Sequence, residues 1–173
     1  MKRAAFALPG DIATLTGGYI YDRHLVEGLR ARDWQVEVLS FGTSFPNPTA
    51  EDQADAGVQL ASLPADCPVI IDGLAFGAMN LNDVRAVKAP IIAMVHHPLA
   101  FENGISEDDS ARLLESERAN LSQAAHVIVP SPHTSQMLQD TYDVSAAQIT
   151  VARPGTARPT SFPAPQNPPP ILS

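Results

Sequence analysis

A chain of 173 residues, 45% of them hydrophobic, is long enough to bury one core and sits near the usual size of a single domain. Its formal net charge of -8 argues against a phosphate-backbone binder, because that affinity comes from clustered lysine and arginine, so no nucleic-acid partner is expected. The single cysteine, Cys67, cannot form an internal disulfide, and its place beside Val69 and Ile70 predicts a small buried hydrophobe in a reducing cytoplasm.

Lys2 and Arg3 precede an apolar run as they would in a signal peptide, but the run is too short and ends at Pro9-Gly10-Asp11. No stretch approaches the roughly 20 apolar residues of a spanning helix. A cytoplasmic protein is expected, soluble or peripheral at the inner membrane face, although no basic amphipathic patch argues for the membrane.

Ala4 to Leu8 reads as a first strand. Glycine and proline punctuation follows, and then a helix over Tyr19 to Arg32 with Tyr21, Leu25, Gly28 and Leu29 on one side. Gln35 to Leu39 is a second strand, and the segment from Phe41 to Ala56 reads as loop. Val69 to Ile71 is a third strand, Asn82 to Val87 a weak helix and Ile91 to Val95 a fourth strand. Ser106 is the N-cap of the longest helix, with Glu107, Asp108 and Asp109 where the helix dipole favours negative charge. That helix runs to about Ala124, with Ala111, Leu114, Leu121 and Ala125 predicted inward and Arg112, Glu115, Asn120 and Gln123 outward. His126 to Val129 is a fifth strand. Ser131-Pro132 is an N-cap with proline at the first helical position, opening a helix through Gln139, and Ile149 to Val151 is a last strand.

Strands that are apolar on both faces and alternate with helices predict an α/β domain: a Rossmann-like parallel sheet with helices on both faces, over residues 1–153. From Pro154 the prolines crowd too closely for any regular element, which predicts an interdomain linker over 154–170. Ile171-Leu172-Ser173 reads as the start of a second domain that is absent from this chain.

In an open parallel sheet, ligands bind beyond the carboxyl ends of the strands. Those ends carry Thr16-Gly17-Gly18-Tyr19, Asp72-Gly73, His96-His97-Pro98, Ser131-Pro132-His133 and Arg153-Pro154-Gly155-Thr156. Gly17 and Gly18 precede a helix, so their amides are available to an anionic or hydroxyl-rich ligand; the alternative is a tight strand-to-helix turn. His96 and His97 close a buried strand, where an imidazole can hydrogen-bond a sugar hydroxyl or transfer a proton, and one of the two can equally be structural. No further Cys, His or carboxylate stands at ligand spacing, so no metal site is expected. G-x-G-x-x-G, the P-loop and G-x-S-x-G are all missing.

In order along the chain, several motifs resemble the N-terminal domain of retaining GT-B glycosyltransferases of family 4. They are Thr16-Gly17-Gly18 with Tyr21, Leu25 and Leu29; Trp34-Gln35-Val36-Glu37-Val38; Val95-His96-His97-Pro98; Glu117 through Ser131; and Ile149 through Thr156. The resemblance implies the N-terminal half of a GT-B fold that binds the acceptor, with His96 as the catalytic contact to the transferring sugar. It places Gly17 and Gly18 near the donor phosphates or the acceptor, and Thr16, Tyr19, His97 and Ser131 on the cleft wall. It further implies a nucleotide-sugar donor as substrate, a glycan, lipid or small-molecule acceptor, and no essential metal or other cofactor. The donor-binding second domain would be a partner missing from this chain, which by itself would lack turnover.

Two other readings remain beside it. A stand-alone Rossmann-like module that binds or senses a small ligand fits the acidic charge equally well, while the proline-rich segment speaks against it. A nucleotide-dependent oxidoreductase or epimerase is weakened by the missing dinucleotide fingerprint.

Overall fold

The computed structural model describes residues 2–155; the expected linker from residue 156 onward and the expected restart at 171–173 lie outside the described residues. Six strands, β1 (Lys2–Pro9), β2 (Trp34–Phe41), β3 (Val69–Asp72), β4 (Ile91–Met94), β5 (His126–Val129) and β6 (Ile149–Val151), form one sheet in the order β2-β1-β3-β4-β5-β6. Every pairing is parallel. The α/β fold expected from the apolar strand runs is therefore the one observed. The chain leaves β1 toward β2 on one side and returns to β3 on the other, so the carboxyl ends of β1 and β3 flank a topological switch point, where helix N-termini diverge and leave a crevice.

The two faces of the sheet are covered unequally. On β1, Phe6 and Leu8 pack with Val26 of α1 (Gly17–Arg30) and with Val36, Ile70 and Met94. Ala5 and Ala7 alternate to the other face, where α2 (Ala50–Ala61), α4 (Leu81–Ala86), α5 (Glu107–Leu121) and α6 (Pro132–Tyr142) contribute Leu60, Val84, Leu121 and Leu138 to a larger core. The short α3 (Gly73–Phe76) continues directly from β3. The small Ala5 and Ala7 leave room on that face for Phe76 and Leu60, both essentially buried. Cys67 is buried and free, as its apolar setting predicts. Among the described residues no helix is long and apolar enough to cross a membrane.

Two expectations are corrected. The segment after Phe41 is not loop throughout, because α2 begins at Ala50 with Thr49 as its N-cap and buries Ala56 and Leu60, an i,i+4 pair. The inward face of α5 is also different. Ala111 and Ala125 are exposed, whereas Leu113, Glu117, Asn120 and Leu121 are buried. Polar residues occupy that face because their hydrogen bonds are met inside the protein. Glu117 accepts from Leu99 N–H at 2.8 Å, Ala100 N–H at 3.2 Å and the Tyr142 hydroxyl at 2.7 Å. Asn120 Nδ2 donates to the carbonyls of Phe76 and Met79 at 2.7 and 2.9 Å. In this way α5 ties down the two loops that follow β3 and β4, which are the loops that shape the switch-point crevice.

Candidate functional site

The crevice holds a cavity of about 260 Å³. Thr16, Gly18, Tyr19, His96 and His97 line it, five of the residues expected at the ligand edge. Asp72, Gly73, Leu74 and Glu102 complete the wall. Each is placed by a local rule. Thr16 caps α1 by accepting from Tyr19 N–H at 3.2 Å, which leaves the Gly17 and Gly18 N–H groups without an intramolecular partner among the described residues. Asp72 ends β3 and caps α3, with Oδ1 accepting from Leu74 N–H at 2.9 Å. Tyr19 anchors its hydroxyl by donating to the Pro9 carbonyl at 2.7 Å.

The centre of the site is a three-residue cluster. His96 Nε2 lies 2.8 Å from Asp22 Oδ1 and 3.7 Å from Asp72 Oδ2. Asp22 sits in the second turn of α1, one turn beyond Gly18, and is fully buried. The His96 ring packs against Gly18: a Cβ there would stand 3.4 Å from His96 Cδ2, at ordinary contact distance. Tyr21 meets the same imidazole edge to face at 5.3 Å and secures its own hydroxyl on the Ala152 carbonyl at 2.7 Å. With Nε2–H donated to Asp22, Nδ1 has no partner among the described residues and is the ring atom free to act on a ligand.

Two buried carboxylates beside one imidazole set the protonation states. Burial and the neighbouring Asp22 charge push the Asp72 carboxyl up to about 7, against a smaller opposing effect of His96 and the Leu74 amide. Burial works to lower His96, but its hydrogen bond to Asp22 and the charges of Asp22 and Asp72 outweigh it and raise it. Tyr19 is pushed up to about 12 by burial and by the same two carboxylates. The cluster therefore retains protons into the neutral range and can donate or accept one there. Asp22, Asp72 and His96 each offer one ligand atom within 4.8 Å of the others, so they are the described residues best placed to hold a cation. The 2.8 Å contact between Nε2 and Oδ1 is the geometry of a charge-assisted hydrogen bond.

Two expected residues fall elsewhere. Gly17 faces a neighbouring cavity on the other side of the first turn of α1, with Tyr21, His24, Leu25 and Arg153. Ser131 does not line the cavity: its Oγ caps α6, accepting from Thr134 N–H at 3.0 Å. Asp22 and Glu102 escaped the sequence reading of the site, and Asp72 entered it only as the residue after a strand. The available signals were an acid on the half-apolar side of α1, between Tyr21 and Leu25-Val26, and an acid closing a fully apolar strand.

No protein-family model matches the chain, and no curated protein does. Among solved structures it is similar to the ydeN gene product from B. subtilis, at 16% identity and a TM-score of 0.45, with 90% of this chain and 87% of that one covered. A likeness of that degree assigns no activity. The resemblance to family 4 GT-B glycosyltransferases is corrected: no family model carries it. The physical reason is that the motifs behind it, a glycine turn before α1, a histidine after β4 and a serine cap before α6, occupy places that many doubly wound sheets fill in the same order.

Proposed function

We propose that the switch-point cavity binds a hydroxyl-rich small molecule, and that the chain forms the acceptor-side wall of a glycosyl transfer from a nucleotide sugar. The observation that carries this reading is the buried Asp22–His96 contact, which fixes the imidazole at the cavity wall with Nδ1 uncommitted. An oriented imidazole beside carboxylates suits the recognition of hydroxyl groups and the removal of a hydroxyl proton. In the transfer, the acceptor oxygen bonds to the anomeric carbon, and the bond to the diphosphate breaks with its electron pair leaving on the diphosphate. The hydroxyl proton passes to Nδ1 or to the departing phosphate. The cavity is small beside the usual range of ligand pockets, which begins at about 300 Å³, and this suits a single sugar ring.

A second reading, a stand-alone small-ligand binding module, draws support from one feature: neither lysine nor arginine lines the cavity among the described residues, so a diphosphate finds no basic partner there. One experiment separates the two. His96→Gln keeps an N–H donor for Asp22 while removing the free ring nitrogen. If the native gene product transfers sugar, this variant is expected to lose about 100-fold or more in rate with its fold intact. An unchanged rate reassigns His96 to structure, and no transfer from any nucleotide sugar by the parent protein leaves the binding module.

A further inference from the structure

Two buried carboxylate oxygens at this site lack a hydrogen-bond donor among the described residues. Asp22 Oδ1 is met by His96 and Asp72 Oδ1 by the Leu74 amide, but the Oδ2 atoms of both are buried without a hydrogen bond among the described residues, His96 Nε2 standing 3.7 Å from that of Asp72. Asp72, whose side chain is 1% exposed, lines the cavity, and Glu102 adds a carboxylate at its exposed rim. Against these stand the free Gly18 amide, the Thr16 hydroxyl and two imidazoles, His96 and His97, whose Nε2 atoms already face Asp22 and the Phe101 carbonyl. The basic residues His24 and Arg153 sit in the neighbouring cavity across the first turn of α1. A ligand entering the switch-point cavity thus meets the unpartnered Asp72 oxygen, on a carboxyl held partly protonated near neutral pH that an approaching cation would ionise, and the Glu102 carboxylate at the rim. A phosphate or carboxylate would set acceptor against acceptor. A hydroxyl supplies one donor and no charge, whereas an ammonium supplies three donors and a positive charge, in a partly enclosed place where ion pairing is screened less than in water.

From this we infer that the cavity selects an amine-bearing member of the hydroxyl-rich class, an amino sugar or aminocyclitol, with its ammonium group on Asp72 and toward Glu102. The inference rests on the reading of the cavity as a sugar-sized ligand site. The hydroxyls of such a ligand are left to His97, to the free Gly18 amide and to Nδ1 of His96.

The test is a titration of the 173-residue chain with D-glucosamine, D-glucose and D-glucose 6-phosphate at neutral pH and low salt, followed by amide chemical shifts of Gly18, Leu74 and His97. Glucosamine is expected to bind about tenfold more tightly than glucose, and the phosphate ester more weakly than either. Asp72→Asn, which keeps the Oδ1 cap on Leu74, is expected to bring glucosamine down to the affinity of glucose. Glu102→Gln, on the exposed rim, is expected to trim the preference about threefold. Equal binding of glucosamine and glucose, tightest binding of the phosphate ester, or a preference that survives both substitutions overturns the inference while the sugar-site reading stands. If none of the three ligands shifts the cavity amides, both fall.

Discussion

Replacing His96 with alanine would strand the Asp22 carboxylate, which is 0% exposed and has His96 Nε2 at 2.8 Å as its described partner. Removing one member of a buried ion pair costs about 3–5 kcal/mol, because the other charge is left uncompensated. The His96 side chain is 24% exposed, so water reaches the vacated space and the expected loss lies at the low end, about 3 kcal/mol. With a urea dependence of about 2 kcal/mol per molar, the unfolding midpoint drops by roughly 1.5 M. Asp22→Asn added to His96→Ala removes the stranded charge and should recover at least about 1 kcal/mol, a coupling of the size that touching groups show. The assay is urea unfolding followed by circular dichroism at about pH 8. The reasoning fails if His96→Ala lies within about 0.5 kcal/mol of the parent, or if the double variant is no more stable than the single one.

Stability is expected to fall as pH rises through the acidic and neutral range. Asp72 has its folded value raised to about 7 from 3.8, so the folded state binds the extra proton and the stabilisation is complete below the lower value and lost by the upper one. His96 and Glu117, also raised, act in the same direction. The Asp72 contribution is at most about 4 kcal/mol, and unfolding of Asp72→Asn across pH should show a flatter profile; an equally steep one assigns the slope elsewhere. Gly77→Ala would set a Cβ 2.6 Å from Glu117 Cγ and 2.9 Å from Leu99 Cδ1, so it should destabilise by about 1–3 kcal/mol in thermal unfolding, and a neutral result would contradict the packing of α5 on this loop. Gly18→Ala meets the His96 ring only at ordinary contact distance and should be neutral or stabilising by up to about 1 kcal/mol, whereas Gly18→Leu should release His96 from Asp22 and lower its imidazole titration in NMR.

Strands β1, β3 and β4 were legible as apolar runs, Val69-Ile70-Ile71 and Ile91-Ile92-Ala93 being the clearest, and such runs have no stable place outside a covered sheet, whereas β2 alternates through Gln35 and Glu37. The N-caps Ser106 and Ser131 were legible for the same kind of local reason. Helix α2 was not, since two prolines and a run of polar residues hide the widely spaced Ala56 and Leu60 that hold it to the core. The buried face of α5 was hidden more thoroughly. Hydrophobic periodicity has no means of turning Glu117 and Asn120 inward, because what buries them is a set of backbone amides and carbonyls from loops distant in sequence.

The candidate site divides along the same line. Gly18, His96 and His97 were legible from their place at strand ends. A glycine pair before a helix suggests amides offered to an anionic or hydroxyl-rich ligand, and the Gly18 N–H does lie free at the cavity, with the His96 ring as its neighbour. Gly18 and Asp22 stand at i and i+4, so they lie one above the other on the same face of α1. The His96 ring lies against the first turn beside Gly18, and its Nε2 reaches the carboxylate one turn farther along. The Asp22–His96 contact at this switch point therefore joins an acid one turn beyond Gly18 to a histidine at the end of β4. Neither half of that pattern carries meaning until the sheet order brings α1 and β4 to the same crevice.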